Sequence, residues 1–223
     1  MRKGLNRGAV IVLGFLLLAG MAAAAPVNCA GVADITTLGS DGCTLGGLTF
    51  TNFNVSTTGN LNNLTVGIAN SGAGTGVVGS DVDLVFQYNP NFTGGVETGD
   101  LLLTYEVMGG IIGVDNLFQA TPEGGSSGYI TITEIVCTQA FSGSVCGGTT
   151  LANFQATSSG GNPGGGSATF AATDPAFIKK DISFNSATMS EFSNSQLVPE
   201  PMTLSLMGMG LLGIGLLGRK LRK

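Results

Sequence analysis

The sequence predicts an all-β protein: an antiparallel β-sandwich, jelly-roll-like, that is exported and flanked by an N-terminal signal helix and a C-terminal transmembrane helix. Three observations point there. Short runs with alternating apolar residues recur through residues 26–185, the pattern of half-buried strands. Glycine clusters at 72–79, 94–95, 124–128 and 160–166 separate these runs and supply the positive φ that tight connections need. Finally, no stretch of residues 26–198 carries the apolar stripe of an amphipathic helix of three turns.

In chain order, the first 25 residues hold Arg2, Lys3 and Arg7, an uncharged apolar run at 9–18, and the small residues Ala22 to Ala25 before Pro26. This three-part layout is that of a secretory signal peptide, cleaved near Ala24 or Ala25. Its apolar run is short beside the roughly 20 residues of a membrane-spanning helix.

In the body, Val82, Leu84, Phe86 and Tyr88 share one face of the run 81–88, opposite Asp81, Asp83 and Gln87. Leu101, Leu103, Tyr105 and Val107 oppose Thr104 and Glu106 in the same way. Further strands are expected at 48–55, 61–68, 113–120, 129–137, 168–172 and 177–184. In the first of these the apolar residues change face between Phe50 and Phe53, which places a bulge near Asn52. About eight strands with turns between them suit a sandwich. The Gly-Ser-Asn segment 157–167 reads as a flexible loop, and residues 186–198 as a stalk.

Four cysteines lie in the body, and an even number in an oxidising compartment favours disulfides. Three connectivities are possible. Cys29–Cys43 with Cys137–Cys146 is favoured, because each bond closes a short glycine-containing loop. A metal site is disfavoured by the spacing, which matches no C-x₂-C knuckle, and by the absence of histidine.

Charge follows the same partition. Of nine Lys and Arg, three fall in the signal region and four in the last five residues, leaving Lys179 and Lys180. Of fourteen acids only Glu200 lies outside 26–198, so two cations meet thirteen anions and the body carries −11. Nucleic acid is not an expected partner of such a surface, since phosphates are bound by neutralising them.

The C-terminus reads Pro199, Glu200, Pro201, then an uncharged run at 202–218, then Arg219, Lys220, Leu221, Arg222 and Lys223. Seventeen helical residues rise about 25 Å, enough for a bilayer with some thinning. Terminal Arg and Lys stay cytoplasmic, so the body belongs on the opposite side of the membrane. Pro199 and Pro201 disfavour helix in the residues before them, leaving the entry segment extended and accessible.

This tail resembles a PEP-CTERM sorting signal: the Pro-Glu-Pro motif at 199–201, the apolar helix, and the basic membrane stop of Arg219, Lys220, Arg222 and Lys223. The resemblance implies exosortase, an integral-membrane Cys-protease-like enzyme of Gram-negative bacteria, as processing partner. It further implies transient anchoring in the inner membrane, removal or transfer of the tail, delivery to the cell surface or medium, and association with exopolysaccharide in biofilm or floc. The body is similar to other proteins bearing this tail only loosely, in Cys29 and Gly42-Cys43-Thr44-Leu45-Gly46, in Leu48 to Phe53, and in Lys180-Asp181-Ile182-Ser183. The domain plan is then a signal peptide at 1–25, a sandwich at 26–185, a stalk at 186–198 and the sorting signal at 199–223.

Catalysis is disfavoured. Without histidine there is no Ser-His-Asp or Cys-His machinery, and no Ser-x-x-Lys precedes Lys179 or Lys180. Carboxylate pairs for glycoside cleavage leave no fixed spacing. Glu106 and Glu134 are the strand acids to consider, Glu134 because it shares a face with Ile130, Ile132 and Val136. Asp81 and Asp83 are two acids on one strand face, of interest for calcium. No cofactor is called for. The expected function is that of a non-enzymatic exported surface or extracellular-matrix protein. The alternative is a carbohydrate-binding module or glycosidase on the same sandwich, against which the lack of Trp and the mere three Tyr speak.

Overall fold

The computed structural model describes residues 27–61, 64–69, 81–88, 98–122 and 127–199. The signal segment, Glu200, Pro201 and the apolar and basic tail lie outside the described residues.

The described chain is built from strands and one short 3-10 turn at Ile35–Leu38. In order they are β1 (Val27–Asn28), β2 (Cys43–Leu45), β3 (Leu48–Thr57), β4 (Val66–Ile68), β5 (Asp81–Tyr88), β6 (Thr98–Met108), β7 (Ile111–Gln119) and β8 (Thr121–Pro122). They continue with β9 (Tyr129–Cys137), β10 (Phe141–Ser142), β11 (Val145–Cys146), β12 (Thr150–Ser159), β13 (Pro163–Thr173), β14 (Ala176–Asn185), β15 (Ala187–Thr188) and β16 (Glu191–Leu197).

Two sheets hold the frame. One runs β1-β2-β3-β6-β14-β9-β12 and the other β13-β7-β16-β5-β4. Every pairing within them is antiparallel except β1 with β2. The chain passes from sheet to sheet through β5, β6, β7 and β9, and again through β12, β13, β14 and β16. The inner quartets β6-β14-β9-β12 and β13-β7-β16-β5 therefore interleave as in a jelly roll.

Alternation puts Leu101, Leu103, Tyr105 and Val107 of β6, Ile130, Ile132 and Val136 of β9, and Ile178 and Ile182 of β14 into the core. Leu84 and Phe86 of β5, Val114 and Phe118 of β7, and Phe192 of β16 fill it from the other sheet. The ring of Phe86 lies 4.9 Å from that of Phe192 and 5.8 Å from that of Tyr105, so aromatic pairs hold the centre. Cys29–Cys43 and Cys137–Cys146 are bonded, the pairing favoured from loop length.

The bulge expected near Asn52 is present: β3 shifts register against β6 between Thr51 and Asn54, and Asn52 sits at φ 55°. Three expectations need correction. Among the described residues of 61–68, only Val66–Ile68 form a strand. The segment 157–167 is not a loose loop: it holds the end of β12 and the start of β13, joined by a tight turn at Gly160 and Gly161 with φ of 59° and 77° that the Ser159–Asn162 bridge closes and that carries the chain from one sheet to the other. Its glycines serve packing: a Cβ on Gly166 would stand 2.6 Å from Phe154 Cδ2. Residues 186–198 are not a stalk either, since β16 lies between β7 and β5 in the middle of its sheet.

Candidate functional site

The acids singled out from the sequence do not converge. Glu106 lies on the outer face of β6, half-buried, where Asn52 Nδ2 donates to Oε2 at 2.7 Å. Glu134 points the other way, into the core, with no exposure. Opposite faces of one sheet cannot offer two carboxylates to a single glycosidic bond. Asp83 is 8 % exposed rather than solvated, and the side chain of Asp81 lies outside the described residues. Among the described residues no group of three His, Cys, Asp or Glu is placed to hold a metal ion. Of the sorting motif, only Pro199 is described; it is exposed and directly follows Val198, which packs against the core.

Sequence reasoning missed what Glu134 meets. Lys180 of β14 is its cross-strand neighbour, and both side chains are fully buried, with Nζ 2.5 Å from Oε2. Across the sandwich, Asn194 of β16 and Asn116 of β7 are themselves cross-strand partners. Asn116 Nδ2 donates to Glu134 Oε2 at 3.0 Å, and Asn194 Nδ2 to Glu134 Oε1 at 3.3 Å. The Asn194 carbonyl accepts from the Tyr105 hydroxyl and, at 2.7 Å, from Gln196 Nε2. The Lys180 Nζ also sits 5.5 Å from the centre of the Phe192 ring.

Burial shifts the ionisable groups of this cluster. Burial pushes the Lys180 ammonium below its ordinary 10.5, against the opposing pull of Glu134. Burial also raises the Tyr105 phenol well above 10.0, helped by the negative charge of Glu134 and countered by the hydrogen bond from Gln196. The alternation of Lys180 with Ile178 and Ile182 was a sequence signal that it faces inward; nothing in β16 marked Asn194.

A second locus is the outer face of the seven-stranded sheet. Register aligns Ser56, Leu102, Asp181, Thr133 and Gln155 in one row, and Asp100, Ser183, Thr131 and Thr157 in the next. Five strands make the first row roughly 19 Å wide. Gln155 Nε2 donates to Thr133 Oγ1 at 3.1 Å, Ser183 Oγ donates to Asp100 Oδ1 at 2.6 Å, and the Thr131 and Thr157 hydroxyls are 3.0 Å apart. Tyr129, 40 % exposed, ends the face with Asn185 Nδ2 at 3.2 Å from its hydroxyl. At the other end Lys179 projects outward but is covered: its Nζ donates to the Ser144 carbonyl at 2.7 Å and lies 5.4 Å from the Phe141 ring. The loop closed by Cys137–Cys146 thus bounds the face and hides its cation.

No family model matches the chain, and no curated protein does. Among solved structures, it is similar to TmCBM61 in complex with β-1,4-galactotriose, at 15 % identity and a TM-score of 0.33, over 65 % of this chain and 83 % of that one. It is also similar to a structure of carbohydrate-binding modules from the β-sandwich superfamily, at 16 % identity and a TM-score of 0.28, over 77 % and 61 % of the two chains. A third is the enzymatically active domain of bacteriophage CBA120 tailspike protein 4, at 14 % identity and a TM-score of 0.28, where 64 % of this chain spans 18 % of the other. Likenesses this distant assign no ligand.

Proposed function

We propose that this chain is a non-catalytic module exported to the cell surface or its polysaccharide matrix, and that it holds extended glycan on the outer face of its seven-stranded sheet. The observation that carries this reading is the face itself. Around Leu102 it presents hydroxyl, amide and carboxylate groups, the donors and acceptors that sugar hydroxyls need, with Tyr129 as an aromatic edge. The titratable cluster in the core, by contrast, is sealed from any substrate.

Electrostatics narrows the ligand. Both lysines of the body are buried, and no other Lys or Arg occurs between residues 8 and 218. The face therefore presents Asp100 and Asp181 with no cation to offset them, which favours neutral polysaccharide over acidic polysaccharide. Export and delivery fit the Cys29–Cys43 and Cys137–Cys146 bonds, which persist in oxidising compartments. Sorting through the Pro-Glu-Pro tail by exosortase completes the proposal.

The test is affinity electrophoresis of the secreted protein through gels containing neutral glucans, galactans or mannans, with acidic polysaccharides run alongside. Retardation by a neutral glycan is expected, lost on replacing Tyr129 and Gln155 by Ala while circular dichroism stays unchanged. No retardation in any gel would leave a purely structural matrix protein, the reading that the two disulfides and the fully enclosed core favour.

A further inference from the structure

The interior cluster combines four features of a reaction site that has no access for a diffusing substrate. A primary amine, Lys180 Nζ, and a primary amide, Asn194, are both fully buried. One carboxyl group bridges them, Glu134 holding the amine through Oε2 at 2.5 Å and the amide nitrogen through Oε1 at 3.3 Å. The amide carbonyl oxygen receives two donors, from Tyr105 and Gln196. The surroundings are Phe192, Ile132 and other apolar side chains that exclude water.

The geometry points to an intramolecular amide cross-link between Lys180 Nζ and the side-chain carbonyl carbon of Asn194, formed by the folded protein itself with Glu134 as the proton carrier. The first step is transfer of one proton from the Lys180 ammonium to Glu134, which turns a buried ion pair into a neutral amine and a neutral acid. Burial favours that neutral state because it penalises the ammonium. The Nζ lone pair then attacks Asn194 Cγ, and the carbonyl π electrons move onto Oδ1. The Tyr105 hydroxyl and Gln196 Nε2 are already aimed at that oxygen, as donors that stabilise a developing oxyanion must be.

Collapse completes the exchange. Nζ gives a second proton to the Glu134 carboxyl, which returns one to Nδ2; the Cγ–Nδ2 bond breaks and ammonia leaves. Amine plus primary amide yields secondary amide plus ammonia, Glu134 ends protonated, and no oxidant or reductant is consumed. Holding both partners at one carboxylate supplies the proximity that such a sluggish reaction needs.

Asn116 is the other amide on Glu134, through Oε2. Its carbonyl oxygen has no hydrogen-bond partner among the described residues, so nothing there would steady an oxyanion. Asn194 is therefore the acceptor. Because Lys180 belongs to the seven-stranded sheet and Asn194 to the five-stranded one, the bond would tie the two layers together through the core. That suits a protein of the cell exterior, which works under shear and without repair.

Mass spectrometry of the purified full chain tests this directly. The expected intact mass is lower than that of the disulfide-bonded sequence, corrected for processing at its ends, by one ammonia. After reduction and cleavage on the C-terminal side of glutamate, the segments 135–191 and 192–200 should emerge as one branched species joined at Lys180 and Asn194. Glu134→Gln and Asn194→Ala variants, checked for folding by circular dichroism, should keep the full mass. The wild-type measurement stands even where a variant fails to fold. A wild-type protein of full mass giving separate segments overturns the cross-link. A branch to the segment 107–123, which holds Asn116, overturns the choice of Asn194, and loss of ammonia from Glu134→Gln overturns the role given to Glu134.

Discussion

Tyr88 and Tyr105 show what the enclosed core does to single ionisable groups. Tyr105 is 2 % and Tyr88 5 % exposed, and burial raises both phenols well above the ordinary 10.0. In the unfolded chain each phenol ionises near its ordinary value, while in the folded protein each keeps its proton. Above pH 10 the folded state thus binds more protons than the unfolded one, and stability falls as pH rises. The slope approaches about 1.4 kcal/mol per pH unit for each tyrosine. An alkaline titration followed by circular dichroism should therefore show one cooperative loss of structure. Tyrosinate absorbance from these two rings should appear with that loss and not before it. Because the chain has three tyrosines, Tyr129 being exposed, an absorbance rise of two or more tyrosine equivalents ahead of unfolding would mean that water reaches these rings. Lys180 belongs to the same interior and illustrates a general asymmetry: a buried ion pair contributes little net stability, whereas removing one partner costs about 3–5 kcal/mol.

At the scale of elements, the two disulfides hold parts that hydrogen bonding alone holds poorly. Cys29 and Cys43, 14 residues apart, fasten the two-residue β1 and three-residue β2 at the edge of the larger sheet. Closing such a loop is worth about 3 kcal/mol in the chain-entropy model. The Cys29→Ala/Cys43→Ala double variant should lose that much in urea denaturation, with a slope no lower than that of the natural chain because the unfolded chain is less compact without the bond. A loss below about 1 kcal/mol would show that the edge is held by other contacts. Strong alternation made β5, β6 and β9 legible in the sequence, and β5 and β9 begin and end where expected. Two strands, β12 at the edge of its sheet and β16 in the middle of the other, were not legible, for different reasons. The inward residues of β12 are Ala152, Phe154, Ala156 and Ser158, and one large side chain among three small ones does not read as an apolar stripe. In β16 the buried residues after Phe192 are Asn194, Ser195 and Gln196; Asn194 and Gln196 are polar where they meet the Glu134 cluster, and Ser195 between them turns to the other face. The same substitution of amide for apolar side chains that hid the strand also hid the site: a carboxylate on an apolar face was visible on β9, but its partners, Lys180 of β14 included, were not.

For the molecule as a whole, the placement of β16 changes what the proposed sorting step requires. Leu197 ends a strand hydrogen-bonded on both sides, Val198 packs on the core, and Pro199 follows at once in the open. A stalk would have let the Pro-Glu-Pro segment reach a membrane-embedded enzyme freely. Here the folded sandwich itself stands within a residue or two of the motif, so the enzyme must work against the body or wait for β16 to release its last pairs. Releasing a central strand breaks pairing with both β7 and β5, which ties it to unfolding of the whole sheet rather than to fraying of an end. Three variants expressed with an exosortase then have distinct expected outcomes, read from the intact mass of the C-terminus and the time course of its loss. The natural chain should lose its terminal Lys223, Glu200→Ala should retain it, and a flexible Gly-Ser spacer between Val198 and Pro199 should speed the loss several-fold. Retention of Lys223 in the natural chain would defeat the sorting proposal. An unchanged rate with the spacer would show instead that the enzyme reads the motif flush against the folded sandwich.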